Sequence, residues 1–227
     1  MKRTLILLIL ITLSIAPISV LSKDQNELPE YTVEGLKRVP NPHSLAIVYA
    51  EPGANLSQYQ RVYLTEPYVA FRKNWERDQY SATRRRVKSK DMERIKGTVQ
   101  ELFLEVFTEE LADGGYELAD GVGEDVLVAK AAIVDLDVNA PDTMRAGRAA
   151  TFVSHAGSMT LYLELYDSET GDLLAKALDP RSDYDKTYMQ WQTGPANRAA
   201  GKRMMKPWAV ALREGLDRAH KETGESQ

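Results

Sequence analysis

The sequence contains no cysteine. This absence excludes disulfide bonds, thiolate metal ligands, a cysteine nucleophile and a lipid-modified cysteine. The only three histidines are His43, His155 and His220, and no two of them stand at the spacing of paired metal ligands. The sequence also lacks metalloprotease, serine-hydrolase, Walker and dinucleotide-binding motifs. The fold must therefore be stabilised by its apolar core, and no motif assigns an activity.

The composition is that of a globular protein. Of the 227 residues, 43% are hydrophobic and 27% are charged, with no low-complexity tract and no internal repeat. A chain of this length is sufficient for one ordinary domain with a substantial core.

The first 22 residues predict a secretory signal peptide. A basic start, Met1–Arg3, precedes an almost entirely apolar run over residues 4–20, and polar residues begin at Lys23. We expect cleavage just before Lys23 and a periplasmic or secreted mature protein. The alternative is a leader retained as an anchor helix, although Pro17 interrupts a run that is already short for a membrane span.

Loss of the leader would make the mature chain more acidic. It removes Lys2 and Arg3 from the 29 basic residues and leaves 27 against 33 acidic residues, a net charge of −6. An acidic chain argues against nucleic acid as a partner. No later segment is apolar enough to span a membrane, so we expect no integral span after cleavage. An envelope protein or a surface polymer is the expected partner.

The chain divides into a short lead-in and one domain. Residues 23–43 are polar and proline-containing, which predicts an irregular lead-in segment. Residues 44–222 are expected to form a single α+β domain, and residues 223–227 a frayed tail. The predicted architecture is a mostly antiparallel sheet of four to six strands with two long helices packed on it.

Two apolar segments indicate the centre of the sheet. Residues 125–138 are rich in β-branched side chains and predict one long strand. In the second segment Met159, Leu161, Leu163 and Leu165 alternate with polar and aromatic residues, which places these four side chains on one face. The turn at 167–172 then returns the chain as a neighbouring strand.

The two long helices are predicted from apolar periodicity. Over residues 91–113 apolar side chains recur every three or four positions, with Ser89 as the expected cap and Gly114-Gly115 as the end. Residues 196–221 show a similar pattern, in which Pro207 is expected to kink or split the helix.

A basic run precedes the first of these helices. A functional interpretation is contact with an anionic lipid or polysaccharide, and the alternative is a solvated loop in which like charges repel one another. The candidate anion-contact residues are Arg84, Arg85, Arg86, Lys88 and Lys90.

Acidic residues cluster at the end of the first long strand. Asp135 and Asp137 alternate with Leu136, and oxygen ligands at such a spacing are able to hold calcium. The residue order of an EF-hand is absent, and the alternation is typical of a half-exposed strand. We therefore predict no catalytic residue, no metal site and no cofactor.

Four segments resemble a bacterial family of exported proteins, the domain of unknown function numbered thirty-three-thirteen. They are Tyr49–Trp75, Leu111–Tyr116, Asp135–Pro141 and Asp167–Gly171, and together they extend the resemblance over nearly the whole mature chain. The resemblance implies an envelope protein, and many members of the family are lipoproteins. This chain has no cysteine to acylate, so a lipid anchor does not carry over. The family supplies no catalytic residue.

These observations favour a protein that is not an enzyme. The preferred hypothesis is an exported cell-envelope protein that acts as a non-catalytic binding or scaffolding module. One alternative is a periplasmic or secreted hydrolase with an unmarked carboxylate pair. The other is a surface protein that binds anionic lipid or polysaccharide through Arg84–Lys90.

Overall fold

The computed structural model describes residues 28–39, 45–83, 86–138, 152–153, 155–184, 190–191 and 194–224. The predicted signal peptide, residues 1–22, lies outside the described residues. The strands are β1 (Lys37–Arg38), β2 (Ile47–Ala50), β3 (Arg61–Leu64), β4 (Tyr68–Phe71), β5 (Glu117–Leu118), β6 (Val126–Val138), β7 (Phe152–Val153), β8 (His155–Asp167), β9 (Leu173–Tyr184) and β10 (Gln190–Trp191). The helices are α1 (Trp75–Thr83), α2 (Ser89–Asp113) and α3 (Gly194–Gly224).

Eight strands form one mixed sheet. Its order is β1-β2-β9-β8-β6-β3-β5, and β4 pairs with β6 beyond the end of β3. The pairs β1-β2, β2-β9, β9-β8 and β8-β6 are antiparallel. Strands β3 and β4 run parallel to β6, and β5 runs parallel to β3. The α+β prediction is correct in outline. The sheet has eight strands instead of the predicted four to six, and it is mixed instead of mostly antiparallel. Parallel neighbours need a long crossover, and α2 lies between β4 and β6 in the chain and provides it.

One face of the sheet carries the core. The four alternating β8 side chains, Met159 to Leu165, are all buried, as their period of two predicts. Phe103 and Phe107 of α2 and Trp208 of α3 are also buried in this core. Burial of each such large side chain contributes about 1.5–3 kcal/mol before conformational entropy is subtracted. Among the described residues, no helix is long and apolar enough to cross a lipid bilayer.

The ends of α2 agree only partly with the sequence prediction. The helix begins at Ser89, its N-cap is Lys88, and no side chain caps it, so the predicted Ser89 cap is wrong. Gly114 and Gly115 end it as predicted, and Gly115 takes a φ of 85°, which suits a residue without a Cβ.

Two further helix predictions need correction. The charged segment before α2 contains α1, which the sequence did not predict. Of the two outcomes expected at Pro207, a kink or a split, the split is wrong, because α3 continues through the proline as one helix. Buried Met205 and Trp208 flank the proline, and their packing offsets the hydrogen bond that proline removes.

A buried carboxylate joins the two long helices. Glu110 of α2 accepts a hydrogen bond of 2.6 Å from Arg213 Nε of α3 and forms an ion pair with Lys206. Burial alone raises the pKa of Glu110, but the bonds from Arg213 and Lys206 outweigh it and hold the pKa below its ordinary value. The paired carboxylate fixes the register of α2 against α3.

Candidate functional site

A cleft of about 170 Å³ lies where α2 and α3 cross the ends of β6 and β8. Its wall is mainly apolar, with Ile95 and Leu102 from α2, Val138 from β6, Met159 from β8 and Met204 from α3. An apolar cleft with a small number of polar groups is the usual form of a small-molecule site.

A β-bulge in β6 shapes the floor of this cleft. The register of β6 against β8 shifts between Val134 and Asp137. Its register against β4 shifts at the same place, between Val69 and Phe71 of β4. Asp135 takes a φ of 51°, which aspartate tolerates better than most residues. The extra residue exposes Asp135 and buries Leu136. Asp137 is partly exposed, so the predicted alternation of the two aspartates with Leu136 agrees with the structure.

A glycine allows β8 to approach the bulge closely. A Cβ at Gly157 would lie 2.0 Å from the carbonyl oxygen of Asp137, so only glycine fits this backbone contact. A Cβ at Gly201 of α3 would lie 2.6 Å from Cδ2 of Leu102 on α2. Both glycines line the cleft, one at its floor and one between its helices.

Arg72 and Trp75 do not line the cleft, but they contact two residues that do, Asp137 and Val138. Arg72 Nε donates a hydrogen bond of 2.7 Å to Asp137 Oδ2, and its Nη1 donates one of 2.7 Å to Asp78 of α1. Hydrogen bonds to Asp78 and then Asp137 raise the pKa of Arg72, so the guanidinium stays charged. Trp75 stacks on Phe71 with ring centroids 4.1 Å apart, and its Nε1 donates to the Val138 carbonyl at 3.3 Å.

Two acceptor oxygens of the cleft residues have no hydrogen-bond partner within the described part of the chain. They are Oδ1 of Asp137 and Oδ1 of Asn197, and both are buried. Both residues line the cleft. A buried acceptor without a donor costs about 1–3 kcal/mol. A water, an ion or a ligand is the usual partner of such a group.

Two arginines mark the mouth of the cleft. The side chains of Arg94 and Arg198 line it and are 54% and 41% exposed. Arg94 Nη2 lies 3.8 Å from Asp91 Oδ1, and Arg198 pairs with Glu105, which also pairs with Lys202.

A second cleft, of about 210 Å³, lies between α3 and the strands β2, β8 and β9. Its wall includes Val48, Leu163, Trp208 and Leu212, and it is almost wholly apolar. Neither Asp137 nor Asn197, the residues with unpartnered oxygens, lines this second cleft. The first cleft is therefore the stronger candidate site.

The predicted anion-contact residues that the structure describes line neither cleft. Arg84 and Arg85 lie outside the described residues. The described members of this set are exposed around the connection from α1 to α2: Arg86, Lys88 and Lys90. Arg86 Nε lies 3.9 Å from Glu76 Oε1. Their contact with anions stays a prediction.

The buried carboxylates of the described chain are Glu110 and Asp179. Glu110 pairs with Arg213 and Lys206, and Asp179 accepts hydrogen bonds from Trp208 Nε1, Arg181 Nε and the Ala46 amide. Cationic or N–H groups thus occupy both carboxylates. Among the described residues, no group of three or more histidine, cysteine, aspartate or glutamate side chains could hold a metal ion.

Sequence reasoning identified Asp137 as part of a polar cluster but missed Arg72, Gly157 and Asn197. Arg72 meets Asp137 only through the parallel pairing of β4 with β6. A lone glycine at the start of an alternating strand, as at Gly157, is a signal for a bulge or a close backbone approach.

The sequence profile of a family described as "Protein of unknown function (DUF3313)" matches residues 23–209, which confirms the resemblance found in the sequence. No curated protein matches the chain.

Several solved structures show a distant similarity to this chain. A PelC dodecamer from Paraburkholderia phytofirmans shares 12% identity with a TM-score of 0.39, over 73% of this chain and 96% of that chain. A minor lipoprotein from Acinetobacter baumannii shares 10% with a TM-score of 0.34, over 70% and 92%. A DUF4136 family protein from Bacteroides thetaiotaomicron shares 12% with a TM-score of 0.33, over 76% and 95%. These similarities are distant and identify neither a ligand nor a partner for this chain.

Proposed function

The chain belongs to DUF3313, a family of proteins of unknown function, and from this premise we propose that it is an exported, non-catalytic binding module of the cell envelope. The cleft between α2, α3 and the bulge of β6 is the proposed binding site. One observation carries the proposal: an apolar cleft lined by two residues with buried, unpartnered acceptor oxygens, Asp137 and Asn197.

The dimensions of the cleft suit a small apolar group. Its volume of about 170 Å³ is close to the roughly 150 Å³ of an apolar cavity that binds benzene. Ile95, Leu102 and Met204 supply apolar contacts, and methionine adapts its shape to different ligands.

A bulky residue at the mouth should abolish binding of small apolar probes. Thr98 of α2 lines the cleft and is exposed, so Thr98→Trp blocks the entrance without disturbing the core. We expect toluene and benzyl alcohol to shift the amide NMR signals of α2 and α3 around the cleft of the parent protein. In Thr98→Trp the dissociation constant for both probes should rise at least about tenfold, which corresponds to about 1.4 kcal/mol.

Gly215→Trp is the matched control. Gly215 of α3 lines the second cleft, and a Cβ there meets no atom within 4 Å. This variant should bind the probes as the parent does. Loss of binding in Gly215→Trp but not in Thr98→Trp would move the binding site to the second cleft and refute the proposal.

Export to the periplasm or secretion is part of the same proposal. It is supported by the basic start, the apolar run and the sharp return to polar residues at Lys23.

Contact with an anionic surface is a second candidate function. It is supported by the exposure of Arg86, Lys88 and Lys90, which lie close together around the start of α2. Each basic side chain near an anionic membrane contributes about 1 kcal/mol to binding.

Neutralising the basic run should weaken binding to anionic vesicles. A variant with Arg84, Arg85, Arg86, Lys88 and Lys90 all replaced by glutamine should lose cosedimentation with phosphatidylglycerol vesicles at low salt. Phosphatidylcholine vesicles are the control and should bind neither protein. Equal cosedimentation of parent and variant with the anionic vesicles would exclude this surface.

A further inference from the structure

We propose that the face of the sheet opposite the helices binds a neutral polysaccharide strand, whose sugar rings stack on four tyrosine side chains. The cleft lies on the helix side of the sheet, so this surface is separate from it and the inference goes beyond the proposed function. It follows from the strand register, the exposure of the side chains and the balance of charge.

Strand register places two tyrosines on either side of a smaller β6 residue. This first row consists of Tyr63 of β3, Val128 of β6 and Tyr166 of β8. Neighbouring strands lie about 4.8 Å apart, so the backbones of the two tyrosines are separated by about 10 Å. Because the valine side chain is shorter than either tyrosine, the row forms a shallow furrow with an aromatic wall on each side.

A second row repeats this arrangement four residues further along β6. It consists of Tyr68 of β4, Ala132 of β6 and Tyr162 of β8. Four residues of a strand extend over about 13 Å. A ligand that reaches both furrows is therefore an extended molecule with several rings.

The side chains of both rows are accessible. Tyr68 is 66% exposed, and the other three tyrosines are partly exposed. Their neighbours on the opposite face, such as Ile133 and Leu161, are buried in the core beneath the helices. The lead-in segment covers the far end of this face, where Tyr49 of β2 is buried and its hydroxyl donates to the Pro29 carbonyl. The open surface therefore extends from β8 across β6 to β3 and β4.

Glu164 orients the two tyrosines of β8. It lies between them on the same strand face and accepts hydrogen bonds from the Tyr162 hydroxyl at 2.7 Å and the Tyr166 hydroxyl at 2.6 Å. The hydrogen bond to Glu164 raises the pKa of Tyr166 to about 12, so the phenol stays neutral. Rings held in this way lose little conformational entropy when a ligand stacks on them.

The charges at the centre of this face are balanced. Lys176 Nζ of β9 lies 2.6 Å from Glu34 Oε1 of the lead-in and 3.4 Å from Glu164 Oε1. Two further charged residues of the same stretch, Lys130 of β6 and Glu66 after β3, are exposed and have opposite signs.

Each end of the face also carries a compensated pair. Arg61 pairs with Asp125 at 2.5 Å at one end, and Arg72 pairs with Asp137 at 2.7 Å at the other. No excess of positive charge is therefore present among these residues to attract a nucleic acid or an anionic membrane. Charge complementarity favours a neutral polymer.

The chemistry of a sugar chain fits such furrows. A pyranose ring has an apolar C–H face and a rim of hydroxyl groups, and a tyrosine has an apolar ring and a polar tip. Chains of β-linked pyranoses are extended, so their successive rings are able to reach both furrows, whereas α-linked chains coil. A neutral β-linked glycan is therefore the ligand class that matches the surface.

Neutral oligosaccharides of defined linkage test this inference. Cellohexaose and chitohexaose are the β-linked probes, and maltohexaose is their α-linked counterpart. We expect both β-linked probes to shift the amide NMR signals of β6 and β8 in the parent protein, and to bind at least about fivefold more tightly than maltohexaose. Added salt should not change these dissociation constants, because no ion pair is formed with the ligand.

Two variants should weaken this binding. Tyr68→Ala removes an exposed wall of the second furrow and should raise the dissociation constant of both β-linked probes at least about fivefold. Ala132→Gln keeps all four tyrosines, fills the same furrow and should have a similar effect. Tyr80→Ala is the matched control, because Tyr80 is 53% exposed but lies on α1, outside both rows, and this variant should bind as the parent does.

Several results would overturn the inference. They are absence of binding of both β-linked probes to the parent, and equal weakening in Tyr68→Ala and Tyr80→Ala. A preference for polygalacturonate or oligothymidylate that falls with salt would assign the face to a polyanion instead. A parent dimer that Tyr68→Ala dissociates would assign it to a second copy of the chain. Toluene binding to the cleft is measured independently, so either proposal is able to fail alone.

Discussion

Asp179→Ala is expected to lower the free energy of unfolding by about 3–5 kcal/mol, the usual cost of removing one partner of a buried ion pair. Asp179 of β9 is 4% exposed. It accepts hydrogen bonds from Trp208 Nε1 at 2.7 Å, the Ala46 amide at 2.7 Å and Arg181 Nε at 2.5 Å. Alanine would leave the buried indole N–H without an acceptor. Urea unfolding of parent and variant measures the difference.

A double-mutant cycle isolates the part of this loss in unfolding free energy that comes from the hydrogen bond between Asp179 and Trp208 of α3. Trp208→Phe removes the indole donor, and combined with Asp179→Ala it should reveal a coupling energy of about 0.5–3 kcal/mol. Glu93→Ala serves as the control, because its pair with Lys96 is exposed and should be worth at most about 1 kcal/mol. Additive effects of the Asp179 and Trp208 substitutions would mean that the hydrogen bond does not link β9 to α3.

The elements predicted well are those whose pattern is local. The alternation in β8 and the apolar stripe of α2 extend over many residues, and burial at Leu161 and Phe103 agrees with both. The hairpin between β8 and β9 was also predictable. Asp167 binds the turn amides of Glu169 and Thr170, as an aspartate at the start of a turn commonly does.

Strand order and direction depended on contacts between distant segments. The short strands β1 and β5 contain two residues each, too few to show a period. The parallel pairing of β3 and β4 with β6 joins residues more than 60 positions apart. No local pattern encodes such a pairing, so an antiparallel sheet was the natural but inaccurate expectation.

The candidate site could not be read from the sequence because the bulge changes the phase of β6. Before the bulge the odd-numbered residues, such as Ile133, are buried, and after it the even-numbered Leu136 is buried. A strict period of two would direct Asp135 and Asp137 to the core. The positive φ of Asp135 resolves that conflict, and it places Asp137 against Arg72 at the floor of the cleft.

The segment before α2 shows how tertiary contacts override a charged composition. Trp75 is 1% exposed and donates a hydrogen bond to the Val138 carbonyl, so α1 begins where the chain packs on β6. Gln79 of α1 donates to the same carbonyl at 3.2 Å. The charges alone predicted a loop, because they carry no information about the strand end that anchors the helix.

Phe103→Asp is expected to prevent stable folding. Phe103 of α2 is 0% exposed, and its ring stacks on Phe107 with centroids 4.0 Å apart. Loss of the ring alone costs about 3–5 kcal/mol, and a carboxylate without a partner in the core adds several more. The sum approaches the whole stability of an ordinary domain, about 5–15 kcal/mol.

Thr108→Asp is the matched control, because it introduces the same side chain on the exposed face of α2. It should change the free energy of unfolding by less than about 0.5 kcal/mol. Circular dichroism with thermal denaturation compares the two variants with the parent. A Phe103→Asp protein that melts cooperatively at the temperature of the parent would show that this face of α2 is not packed on the sheet, and the cleft between α2 and α3 would then lose its apolar wall.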